Sequence, residues 1–147
     1  VSYLDVYQKF DDARGKVRQL HAPKWSGTYS FTYRFQNNLT VDFNGQFYGP
    51  MRLPTVADDF RPEYSPFYSL ANIQVSKSFS SGFEVYFGVK NLFNFTPENP
   101  ILRPFDPFDR NADDAVSNPN GYTFDTIYGY APMQKIRGFL GVKYTLK

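Results

Sequence analysis

Long runs in which apolar and polar residues strictly alternate constrain this chain most. In 39–47, Leu39, Val41, Phe43 and Phe47 fall on one side of an extended backbone, and Thr40, Asp42, Asn44 and Gln46 fall on the other. Trp25, Gly27, Tyr29, Phe31, Tyr33 and Phe35 alternate in the same way with Ser26, Thr28, Ser30, Thr32 and Arg34. Three more runs, 67–79, 83–93 and 136–146, keep the rule less strictly. Their apolar sides carry Ile73, Val75 and Phe79, then Phe83, Val85, Phe87 and Val89, then Leu140, Val142, Tyr144 and Leu146. The opening run, 1–10, offers only Leu4 and Val6. Six antiparallel strands are expected, in an all-β fold.

Run length separates two ways of using such strands. At about 3.3 Å per residue and a tilt near 40°, roughly 10 residues cross a hydrocarbon band of about 25 Å. A strand of a soluble sandwich is nearer 5–6 residues. The connections sort by length as well. Residues 36–38 and 80–82 are short and turn-like, whereas 11–22, 54–66 and 94–135 are long. A membrane barrel has one rim of tight periplasmic turns and one of extracellular loops, and this alternation fits it. On that reading 83–93 runs outward and the last strand returns to the periplasm. A transmembrane barrel needs about eight strands to close, so the rest of the wall comes from upstream sequence or from a partner chain. The chain opens on Val1-Ser2-Tyr3, already strand-like, which suggests a fragment.

Composition agrees and excludes several classes. Phe, Tyr and Trp number 16, 12 and 1, and together make up 20 % of the 147 residues. The amphipathic rings of Tyr and Trp suit membrane–water interfaces. No run of about 18 apolar residues exists, so no transmembrane helix is expected. The mean hydropathy of -0.49 is uninformative for a barrel, whose lumen-facing residues are polar. The absence of cysteine rules out disulfides and thiolate metal sites. A net charge of +2 with scattered Lys and Arg makes no basic stripe, and nucleic acid is not an expected partner.

The stretch Val85-Tyr86-Phe87-Gly88-Val89-Lys90-Asn91-Leu92-Phe93-Asn94 resembles the penultimate strand of TonB-dependent receptors, which often carries a G-V-x-N-L-F-N run. Tyr128-Gly129-Tyr130-Ala131-Pro132 followed by 137–146 is similar to that family's final passage from loop to strand, and Ala22-Pro23-Lys24-Trp25 to an A-P-K lead-in to an earlier strand. The three matches lie in the family's order. The resemblance implies that 1–147 is the C-terminal portion of a plugged, 22-stranded barrel in the outer membrane of a Gram-negative bacterium. It further implies import of a scarce large nutrient (an iron chelate, haem, cobalamin or an oligosaccharide) driven through the TonB complex. Outer-membrane lipid would be a partner, and the resemblance leaves room for a surface lipoprotein lid. The plug domain and TonB box lie outside these residues. Family members commonly finish on an aromatic residue; here Tyr144 and Leu146 keep the spacing and Lys147 follows.

Little here points to catalysis. A nucleophile–base arrangement would have to use His21, which lies beside a proline in a polar loop and reads as a solvated surface residue. Glu63, Glu84 and Glu98 are dispersed over separate elements. No enzyme is expected. Segment 94–135 is long enough to be functional. Within it Asp109, Asn111 and Asp113 match positions 1, 3 and 5 of an EF-hand-like loop, but Asp114 replaces the glycine and Asn120 the bidentate glutamate. These three residues are candidate ligands for Ca²⁺ in a looser site, against the alternative of a solvated acidic turn. Arg103, Arg110, Tyr122, Phe124 and Tyr128 are candidate contacts for a nutrient, because aromatic and Arg side chains anchor binding surfaces. Tyr128 and Tyr130 equally suit the interfacial girdle of a barrel. Two rival readings stay open: a smaller outer-membrane barrel or adhesin, and a soluble carbohydrate-binding β-sandwich whose aromatics stack on sugars.

Overall fold

The structure is a computed structural model, and it describes residues 1–12 and 14–146. Ala13 and Lys147 lie outside the described residues, and with Lys147 the departure noted at the chain's last position. Among the described residues eight strands occur and no helix: β1 (Ser2–Tyr3), β2 (Tyr7–Lys9), β3 (Lys16–Arg18), β4 (Trp25–Arg34), β5 (Leu39–Tyr48), β6 (Tyr68–Ser78), β7 (Phe83–Lys90) and β8 (Arg137–Tyr144). One antiparallel sheet has the order β1-β4-β5-β6-β7-β8, while β2 and β3 form a separate hairpin. All-β content and a six-stranded antiparallel sheet are thus as the alternation predicts. The sheet is open rather than closed upon itself.

The opening run departs from expectation. Only Ser2 and Tyr3 join the sheet, against Ser26 and Trp25. The chain then leaves and pairs Tyr7–Lys9 with Lys16–Arg18. With Leu4 and Val6 as its only apolar pair, the run has no apolar row to add to the sheet. It folds back locally through Gly15 (φ +60°), and Lys16 and Arg18 lie over the Tyr7 ring at 4.1 and 5.3 Å.

Register lines the alternating residues into rows across the sheet. Tyr33, Val41, Val75, Phe87 and Leu140 make one apolar row, and Phe31, Phe43, Ile73 and Val89 make the next. The opposite face collects Arg34, Asp42, Asn44, Asn72, Gln74, Glu84, Lys90, Arg137 and Lys143. Thr32 Oγ1 donates to Asp42 at 2.6 Å there, and Asn72 Nδ2 to Asn44 at 3.1 Å. Two aromatics on this polar face, Tyr86 and Phe139, lie flat across the neighbouring strand, where a Cβ at Gly141 or Gly88 would collide with them. The apolar face is open: Phe31 is 60 % and Leu140 72 % exposed.

Both sheet edges keep unpaired backbone groups. Residues 27–34 of β4 have no outer partner among the described residues, and β8 pairs with β7 alone. The tight turns at 35–38 and 79–82 close with backbone bonds from Phe35 to Leu39 and from Phe79 to Phe83, both 2.8 Å. Asn38 and Gly82 supply the positive φ in these turns. The long connections 49–67 and 91–136 lie at the other end, as does the passage into β4.

Candidate functional site

At the loop end the polar face changes character. Its last rows carry Tyr48, Tyr68 and Leu70, and the long connections fold over them. Met51, Leu53, Tyr68 and Tyr128 are the buried centre, with Phe95, Tyr130 and Ala131 packed against it. Tyr68 stacks on Phe95 (4.6 Å, 4°) and donates its hydroxyl to the Tyr130 carbonyl at 2.8 Å. Tyr128, 1 % exposed, donates to the Pro62 carbonyl at 2.8 Å. His21 is exposed but held: its Nε2–H donates to the Ile127 carbonyl at 2.9 Å, and its backbone N–H to Arg52 at 2.8 Å. Burial, reinforced by neighbouring Tyr128, pushes the Tyr130 phenol up to about 12, so it stays neutral.

A buried ionic cluster ties two loops together. The Arg61 and Asp59 side chains are 1 % and 2 % exposed and pair at 2.8 Å; Asp125, from the 91–136 loop, meets the same guanidinium at 3.5 Å. The guanidinium stacks on the Tyr128 ring at 4.1 Å. Burial works to raise the Asp59 carboxyl, but the Arg61 guanidinium and the backbone N–H groups of Arg61 and Val56 outweigh it and hold the group below the ordinary carboxylate value.

The 91–136 loop is closed at its base by two asparagines of the N-L-F-N run. Asn91 Nδ2 donates to the carbonyls of Phe95 (2.8 Å) and Gln134 (3.0 Å), and its Oδ1 accepts from Phe95 N–H. Asn94 Oδ1 accepts from Ile136 N–H at 2.9 Å. Both have positive φ, 51° and 52°, which asparagine tolerates better than most residues. These residues carried the family resemblance, yet their structural role was invisible in the sequence.

Farther out, Asp106 organises the loop tip. Its carboxylate accepts from Arg110 N–H, Asn111 N–H and the Arg103 guanidinium at 3.0–3.1 Å. The backbone N–H of Asn111 foremost, then Arg103, holds it below its ordinary range against the opposing pull of burial. Arg103 is buried, adopts φ 47° and also donates to the Asn111 carbonyl at 3.2 Å. It lines a cleft of about 480 Å³ together with Phe60, Ile101, Phe105, Pro119 and Tyr122. A second, larger depression of about 770 Å³ is lined by Arg61, Tyr64, Phe93, Glu98, Tyr128 and Tyr130 among others.

Of the five candidate nutrient contacts, Arg103 and Tyr122 therefore share the first cleft. Tyr128 is core. Arg110 lies exposed beside the Phe108 ring at 5.4 Å, and Phe124 donates its backbone N–H to Asp109 Oδ1 at 2.6 Å. Neither Arg110 nor Phe124 lines that cleft.

Comparison of the chain with protein-family models, with curated proteins and with solved structures finds no match.

Asp109, Asn111 and Asp113 fall on the exposed turn beyond Asp106, and the Asp109 carboxylate is engaged by Phe124. Among the described residues no group of three or more His, Cys, Asp or Glu side chains is arranged to hold a metal. Sequence reasoning missed Phe60, Arg61 and Asp106. The Asp59-x-Arg61 and Arg103-x-x-Asp106 spacings are local signals that could have raised Arg61 and Asp106; neither points to Phe60.

Proposed function

We propose that this chain supplies the last strands and surface loops of an outer-membrane β-barrel that imports a scarce large nutrient in a TonB-dependent manner. The observation that carries the reading is the two-faced sheet. Rows of Phe, Val, Ile and Leu stand open on one side while charged and amide side chains fill the other. Lipid wets such an apolar face and leaves the polar face lining an enclosed interior. Strands of 10 and 11 residues in β4, β5 and β6, two unpaired edges awaiting further strands, and long connections gathered at one end support the same reading. The import function rests on the resemblance of 83–94 and 128–146 to TonB-dependent receptors.

The chain has no cysteine, so single cysteines can report each face. In full-length protein reconstituted in lipid, spin labels at Phe87 and Leu140 should be relaxed by oxygen and shielded from a water-soluble nickel chelate. Labels at Gln74 and Lys143 should show the reverse. If Phe87 and Leu140 are instead shielded from both reagents, the rows meet another protein layer and the sandwich reading takes over. Nutrient uptake that persists in cells lacking TonB refutes the import function while leaving the barrel intact.

A further inference from the structure

We infer that the cleft between Phe60 and residues 99–122 is a binding site for a small anion carried on an apolar ring, a carboxylate on an aromatic body being the simplest case. At about 480 Å³ the cleft falls within the range of small-molecule sites. Its walls come from two connections far apart in sequence, with Phe60 on one and Ile101, Phe105, Pro119 and Tyr122 on the other. The rings of Phe60 and Tyr122 are 6.3 Å apart and inclined at 59°, a tilted pair that joins the two connections in one apolar wall of the cleft.

Among the described residues Arg103 is the one charged side chain on this lining. Its side chain is 5 % exposed, its Nη2 serves Asp106 and the Asn111 carbonyl, and its Nε–H has no partner among the described residues. A buried unpaired donor is costly, and so is a left-handed backbone at an arginine. Both costs fall on the same residue, and a carboxylate accepting from the guanidinium offsets the first. Asp106 is the ion-pair partner of Nη2 and also accepts from two backbone N–H groups, and Asp114 is turned to Ser117 and the Val116 N–H, so what remains for an incoming anion is the Nε–H edge. Phe105 lies 4.9 Å from the guanidinium and is 76 % exposed, so an apolar ring flanks the charge at the cleft wall without being locked in a core. The site is built from loops alone and does not depend on what covers the sheet.

The test uses full-length protein in neutral detergent, with para-fluorobenzoate and its neutral analogue para-fluorobenzamide followed by fluorine NMR. The acid should bind about tenfold more tightly than the amide, the reverse of their partition into micelles. Phe60→Ala, at an exposed ring, should weaken the acid by about fivefold or more, and Arg103→Lys should erase most of the preference for it. Equal affinities for acid and amide overturn anion recognition. Unchanged binding in Phe60→Ala overturns the location, and no saturable binding of the acid up to about 10 mM overturns the site.

Discussion

Placing arginine on either face of the sheet tests the physical basis of the proposed barrel. Phe87 sits in the row Tyr33–Val41–Val75–Phe87–Leu140, four residues along β7 from the turn at 79–82. At about 3.3 Å per residue and a tilt near 40°, the proposed barrel would place it roughly 10 Å above that rim, close to the middle of a hydrocarbon band of about 25 Å. Phe87→Arg should therefore cost about 2–4 kcal/mol, a 30- to 700-fold shift in the folding equilibrium. Gln74 pairs with Gly88, the next residue of β7, and points to the opposite face; Gln74→Arg should cost less than about 1 kcal/mol. The assay is reversible urea unfolding of the full-length protein in lipid vesicles, read by the gel mobility difference between folded and unfolded barrel. Equal penalties on the two faces would refute the assignment of lipid to the Phe87 row, as would a larger penalty for Gln74→Arg.

Three further outcomes follow from the loops. Asn91→Ala removes three hydrogen bonds and leaves alanine with a left-handed backbone. It should loosen the 91–136 loop by about 2–4 kcal/mol, read as faster proteolysis within that loop; unchanged cleavage would deny Asn91 its closing role. Asp59 is held below the ordinary value of 3.8, so the folded loops bind its proton less readily than the unfolded chain does. Its contribution is complete above about pH 4 and is lost as pH falls through the lower folded value, so protease resistance of 54–66 should drop on acidification. Asp59→Asn should flatten that dependence, and a variant with the wild-type profile refutes the link. A Ca²⁺ site at Asp109, Asn111 and Asp113 requires that calcium slow cleavage near the loop tip; unchanged rates at saturating calcium dismiss it.

How much was legible beforehand differs between sheet and loops. The alternation of β4 and β5 was read to within a residue, because side-chain period and backbone period coincide in a strand and the turns at 36–38 and 80–82 are chemically distinct. The run 1–10 misled, since a strand with no apolar row is placed by its neighbours rather than by its own pattern. Tyr128 looked like a surface aromatic for a related reason. Nothing local says that Pro62 will accept its hydroxyl or that Arg61 will cover its ring.

By itself the sequence determined that the chain would be a set of long, two-faced antiparallel strands, and which residues each face would hold, because these follow from alternation at adjacent positions. Only the tertiary structure decided which loop residues meet. Phe60 reaches Tyr122, Arg61 reaches Asp125, and His21 reaches Ile127, across separations from 62 to 106 positions. Contacts at such separations depend on how three irregular connections pack over Tyr48, Tyr68 and Leu70, and irregular backbone carries no period from which that packing can be read.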